Sequence, residues 1–209
     1  MTTALLQTTY FGPIQWYQKL YRYDHSMIEQ YDSFQKQTYR NRCVIATANG
    51  VQALTVPVEH TNLSPLTSHL SPLVKDLRIS DHNQWRRVHW NALQSAYSES
   101  PFFEYYADDL HPFFEQKYDY LLDFNEAIRQ KVCELLDIHP DVSYTSDFRH
   151  QTSDITDYRD VINAKHPLPD ADFTPKAYWQ VFQHKYGFLP NLSILDLLFN
   201  MGPESIFYL

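Results

Sequence analysis

Residues 27–59, MIEQYDSFQKQTYRNRCVIATANGVQALTVPVE, decide how this chain is read. Met27 to Glu29 closes a short strand. A polar, cation-rich segment follows, holding Lys36, Arg40, Asn41 and Arg42. Two β-branched runs come next, at 43–47 and 51–58, joined by Ala48-Asn49-Gly50. Asn-Gly between such runs is the strongest short-range hairpin signal, because both residues tolerate positive φ. The segment therefore predicts a β-hairpin over 43–58 with a cationic cluster at its base. A rigid hairpin is a sound support for a binding site.

Working outward, 3–9 reads as a buried strand, turned by Tyr10-Phe11-Gly12-Pro13 into a helix whose apolar positions recur from Ile14 to Tyr21. Such a turn places backbone N–H groups at a helix N-terminus, where anions bind. Residues 61–72, rich in Ser, Thr and Pro, read as a loop. Residues 74–80 alternate as a strand near a sheet edge. Asp81-His82-Asn83 opens a helix, with Asp81 or Asn83 as its cap. Its stripe is Trp85, Val88, His89, Ala92, Leu93 and Ala96, and Ser100-Pro101 ends it. Residues 102–137 are mainly helical, with Pro112 marking a start or a break. A last strand is expected at 142–145, a polar connection at 148–172, a helix at 178–186 stopped by Gly187, and a final helix at 191–200 stopped by Gly202-Pro203. The expectation is one mixed α/β (α+β) domain over 1–209, with a mixed sheet in the N-terminal half that includes the hairpin, and a mostly helical C-terminal half.

The chain has 209 residues and a net charge of −8, which argues against a general nucleic-acid binder. Against that acidic background the local cations read as a pocket for a small anionic ligand. The 16 Tyr and 13 Phe fit either a tyrosine-rich core and subunit interface or a surface that stacks on carbohydrate. A homo-oligomer stays open. Cys43 and Cys133 have no metal-like spacing and read as reduced core thiols. No signal peptide and no membrane span are expected, so the protein is placed in the cytoplasm.

His89 and Glu29 are the candidates for catalytic residues. An imidazole suits proton transfer near neutral pH, yet a lone helix histidine also serves as a bonded core residue. Lys36, Arg40, Asn41, Arg42, Trp85 and Tyr10 are the candidates for substrate binding. Arg40 and Arg42 alternate with Asn41, which in an extended chain puts both guanidiniums on one face. Two such groups side by side need an anion between them, either a ligand phosphate or an internal carboxylate such as Glu29. Trp85 either stacks on a sugar or fills the core. Cys43 as a nucleophile is the weaker alternative to a core thiol. No histidine spacing suggests a metal site, and no cofactor motif is present.

Several stretches together resemble the WbqC-like family of bacterial proteins. They are Tyr10-Phe11-Gly12-Pro13, Lys36 with Tyr39-Arg40-Asn41-Arg42, Leu54-Thr55-Val56-Pro57-Val58, Trp85 with His89, Tyr97 followed by Ser100-Pro101-Phe102-Phe103, and the ending from Gly187-Phe188 to Asn200. Many relatives carry Gln-Pro where this chain has Thr8-Thr9, and an Asp where it has Glu29. The resemblance implies work on amino sugars or sugar nucleotides in surface-polysaccharide (O-antigen) biosynthesis. An acyl or aminoacyl transferase is the favoured form, with the acyl donor unassigned. A non-catalytic binding or scaffold protein of the same pathway is the alternative.

Overall fold

A computed structural model describes residues 2–59, 71–146 and 154–209. The strands β1 (Thr3–Gln7) and β2 (His25–Glu29) lie side by side, joined by the helix α1 (Ile14–Arg22). They pair in parallel, Thr3 opposite His25 and Gln7 opposite Glu29. Two later strands complete this sheet. β5 (Val142–Tyr144) pairs with β2 and β6 (Ile155–Asp157) with β1, giving the order β5-β2-β1-β6, parallel throughout. Parallel pairing needs crossover connections, which place all four carboxyl ends along one edge.

The mixed α/β class holds, with finer differences. The hairpin forms as expected, from β3 (Arg42–Thr47) and β4 (Gly50–Thr55), but as a separate antiparallel pair outside the four-stranded sheet. Only Gly50 takes a positive φ, at 100°, while Asn49 does not. Thr47 Oγ1 accepts the Asn49 N–H at 3.2 Å and donates to the Gly50 carbonyl at 2.8 Å, closing the turn. The turn is also held from outside. Lys185 Nζ and Tyr186 Oη each donate to the Ala48 carbonyl at 2.8 Å.

Residues 74–80 do not form the expected strand. Val74–Asp76 is a 3-10 turn, and only isolated bridges follow, Val58 with Ile79 and Arg78 with Tyr120. The backbone N–H groups of Ile79 and Ser80 go to different neighbours, the carbonyls of Asp119 and Pro57. Burial of Leu77 and Ile79 produced the alternation without a ladder. β6 lies inside the run expected as a plain connection. Its three residues, Ile-Thr-Asp, are too few to show a period.

The second half is helical as expected, through α2 (Trp85–Tyr97), α3 (Phe103–Leu110) and α4 (Leu121–Leu135). A 3-10 turn, His111–Phe114, carries Pro112 between α3 and α4. Neither Asp81 nor Asn83 caps α2. A 3-10 turn at His82–Gln84 precedes it, and Gln84 occupies the cap position at φ 47°. The Asp81 carboxylate is taken instead by Arg86 and by Lys117. The helix expected at 178–186 shrinks to α5 (Gln183–Tyr186), because Tyr178 and Gln180 turn inward onto Asp196. α6 (Ile194–Met201) is capped by Ser193, whose Oγ accepts the Leu195 N–H. The loop expected at 61–72, apart from Ser71 and Pro72, lies outside the described residues, as do 148–153 of the expected connection.

One hydrophobic cluster joins β1 and β2 to the hairpin and the helices, through Leu6, Ile28, Ile45, Leu93, Phe124 and Leu198. Tyr10, Tyr17 and Tyr97 are wholly inside it, so much of the tyrosine content is core. The anion site expected at the start of α1 is taken by the chain itself. The Ile14 N–H donates to the Leu192 carbonyl at 3.0 Å, and the Gln15 N–H to Asn191 Oδ1 at 2.9 Å. A side chain at Gly12 would strike Thr9, which explains the glycine.

Candidate functional site

The candidate residues fall into three settings. The first is the core. Tyr10 is fully buried among Phe11, Trp85 and Phe124, and its hydroxyl meets His89 Nδ1 at 2.9 Å. Burial pulls the His89 pKa down to about 4, with the Thr55 backbone opposing that shift. The buried imidazole is therefore neutral near pH 7, with Nδ1 engaged by Tyr10. Trp85 packs edge-on against His89 and donates Nε1–H to the Ser80 carbonyl at 3.0 Å. Tyr10, Trp85 and His89 thus form one buried aromatic cluster. The Cys43 thiol is also buried, and desolvation pushes it up, away from the nucleophilic thiolate.

The second setting is the carboxyl edge of the parallel sheet. Arg40 is not beside Arg42, because β3 begins only at Arg42 and strand alternation does not reach back past it. Nor does Glu29 hold Arg40. The partner is Asp32, with Nη2 to Oδ2 at 2.9 Å. Burial draws the Arg40 guanidinium below the usual arginine value, and Asp32 opposes that shift. Glu29 is buried, accepts the Tyr31 N–H at 2.6 Å and the Thr145 hydroxyl at 3.0 Å, and lies 3.4 Å from Arg159 Nη1. Sequence reading missed Asp32 and Arg159. The signal for Asp32 is its place three residues past Glu29. Arg159 had none, since β6 was not foreseen.

The third setting is a groove of about 340 Å³ at the base of the hairpin. Its cationic members are Lys36 and Arg42, and Phe34, Val56, Pro57 and Val58 form its apolar wall. Arg42 pairs across the hairpin with Thr55, and its Nε–H donates to Thr55 Oγ1 at 3.2 Å. Among the described residues, neither Lys36 nor Arg42 has a carboxylate within ion-pair distance. Asn41 exchanges 2.8 Å bonds with Val56, side-chain amide to carbonyl and Val56 N–H to the Asn41 carbonyl. Its Oδ1 is buried and without a partner among the described residues. A buried acceptor left open in this way costs roughly 1–3 kcal/mol, which a donor on a ligand would recover.

His82, which sequence reading did not select, also lines this groove. Its Nδ1 is 2.5 Å from Ser80 Oγ. Of the eight residues selected from sequence, Lys36, Asn41 and Arg42 come together here, while the other five occupy the core or the sheet edge.

A family model described as the WbqC-like protein family matches residues 7–208. The chain belongs to the WbqC-like family. It is also similar to a Mycobacterium tuberculosis protein named Uncharacterized protein Rv1507c, 26% identical over 229 residues, covering 99% of this chain and 96% of that relative. No solved structure matches. In this WbqC-family chain, no helix among the described residues is long and apolar enough to cross a membrane.

Proposed function

We propose that this WbqC-family protein binds an anionic small molecule in the hairpin groove, and that the ligand is a sugar nucleotide used in surface-polysaccharide biosynthesis. The observation that carries this is the pair of cations, Lys36 and Arg42, facing a groove without carboxylate partners among the described residues. Uncompensated guanidinium and ammonium groups favour phosphate, which takes a planar fork from one and a point charge from the other. The wall of Phe34, Val56, Pro57 and Val58 suits the face of a base or sugar ring. Asn41 Oδ1 requires an N–H or O–H on the ligand, which inorganic phosphate supplies poorly and a nucleoside supplies well. The volume lies in the ordinary range for small-molecule sites. Two free, buried cysteines fit a cytoplasmic setting.

A second reading, acyl or aminoacyl transfer, has its own support in His82. With Nδ1 held by Ser80, Nε2 is left to act as proton acceptor for an amine nucleophile in the groove. His89 is less suited to that role, since it is buried with Nδ1 engaged by Tyr10 and does not line the groove.

The test is thermal shift and calorimetric titration of the wild type and Arg42→Ala against sugar nucleotides, plain nucleotides and acyl-CoAs. A bound ligand raises the unfolding temperature with the logarithm of its concentration. One sugar nucleotide should give that behaviour, weakened about tenfold in Arg42→Ala, as expected for loss of a charge-assisted contact. No stabilisation by any of these compounds, or equal affinity in the variant, defeats the proposal. Transfer would add a product whose formation falls in His82→Ala with binding retained.

A further inference from the structure

The polar groups at the carboxyl edge of the sheet are not fully used by one another. Gln7 and Glu29 are Cα partners on adjacent strands, so their side chains share a face. Asp157 pairs with Leu5, two residues before Gln7, and stands on the same face. Thr145 reaches Glu29 from the β5 side. Each strand thus contributes a polar group at or just past its end.

Chain order adds a reason to look here. β2 and then β5 are laid down on one side of β1, and the chain returns to place β6 on the other. Open parallel sheets bind ligands outside the carboxyl ends, where the strand order reverses in this way. Gln7, Asp157 and Arg159 flank that point.

Three acceptors there are under-used. Gln7 is 1% exposed; its amide nitrogen donates to the Ile162 carbonyl, and its Oε1 has no partner among the described residues. Among the described residues, Glu29 Oε2 has only the 3.4 Å contact with Arg159 Nη1, and Asp32 Oδ1 only a 3.3 Å contact with the same nitrogen. Both exceed the 2.7–2.9 Å of a full charge-assisted bond. Arg159 itself is drawn toward Asp157, whose Oδ2 lies 2.7 Å from its Nη2. Counting charge, the carboxylates of Glu29, Asp32 and Asp157 face the guanidiniums of Arg40 and Arg159. Among the described residues the excess is negative, and the open atoms are acceptors.

We propose that this edge is a second ligand site, which holds a primary ammonium group on Gln7 Oε1, Glu29 Oε2 and Asp32 Oδ1. An –NH3+ group carries three N–H donors and no acceptor, which matches three open oxygens. The buried Gln7 carbonyl oxygen is the independent sign of a ligand, since the carboxylates alone would be explained by the two arginines. The site does not depend on the hairpin groove, and its ligand is defined by the amine alone.

The test is a calorimetric and NMR titration of the full chain with glucosamine and glucose, a pair differing only in the amine. Glucosamine should bind saturably and shift the Gln7 side-chain amide resonances, while glucose should not. Glu29→Gln should weaken glucosamine at least tenfold with the native circular dichroism spectrum retained. If that variant fails to fold, Gln7→Met, which keeps the volume and removes the oxygen, should weaken it several-fold. Equal response to glucose, unchanged affinity in the folded variants, or the same shifts produced by a divalent cation alone would each overturn the proposal.

Discussion

Arg40 and Arg42 are separated by one residue and sit in opposite settings. Arg40 is buried, with its charge answered at 2.9 Å by Asp32 and with Arg159 and its carboxylates nearby. Arg42 stands at the rim of a groove, held by a threonine hydroxyl and by no carboxylate among the described residues. Where a protein satisfies its own charge, that charge belongs to stability. Where it leaves a cation open beside an apolar wall, that charge is available to a ligand. The largest expected effect tests the first half of this comparison. Asp32→Ala removes the partner of a buried guanidinium, and breaking such a pair costs about 3–5 kcal/mol. Arg42→Ala should shift stability by no more than about 0.5 kcal/mol, as for an exposed substitution. Urea unfolding of both variants decides it, and similar midpoints would dissolve the distinction.

The two histidines flanking the start of α2 repeat the contrast. His82 lines the groove, and His89 is buried in the interior with its Nδ1 on Tyr10. Burial lowers the His89 pKa from 6.5 to about 4. Its folded value lies below its unfolded one, so between those limits the unfolded chain binds more protons. Stability from this group is therefore fully present above pH 6.5 and is lost as pH falls toward 4. A shift of that size corresponds to about 3 kcal/mol. His89→Gln should flatten this part of the profile of unfolding free energy between pH 7 and 4. Parallel profiles would show that His89 is not held neutral in the folded protein.

The parts of this arrangement that follow local rules could be read from sequence. Asn49-Gly50 between β-branched runs specifies a hairpin through backbone conformation, and the stripe from Trp85 to Ala96 specifies a helix through its period. Lys36, Asn41 and Arg42 came out together because they sit at the base of that hairpin. Long-range pairing was not legible in the same way. Arg159 beside Glu29 depends on β6 docking against β1 across more than half the chain, while Asp32 meets Arg40 through the irregular segment between β2 and β3, which has no period to read. The inward turn of Tyr178 and Gln180 onto Asp196, which shortened α5, also has no local mark. His89 misled because an imidazole on an apolar stripe has one sequence signature for two uses. Only its burial and its bond to Tyr10 separate them.

The smallest expected effect separates the two regions by ionic strength. Lys36→Ala and Arg42→Ala should each weaken nucleotide binding about tenfold, or about 1.4 kcal/mol, at low salt. Lys36 is exposed and Arg42 partly so, and charges open to solvent are screened once the Debye length falls from about 10 Å at 0.1 M to about 3 Å at 1 M. The difference between wild type and either variant should therefore shrink as salt is raised. The cost of Asp32→Ala should hardly change over the same range, because Arg40 is 3% exposed and ions do not enter between it and Asp32. Titrations and unfolding curves of the three variants at the two salt concentrations give six numbers. A binding difference that persists at high salt would mean that Arg42 acts through the shape of the hairpin base and its bond to Thr55, and the groove would lose its claim to an anionic ligand.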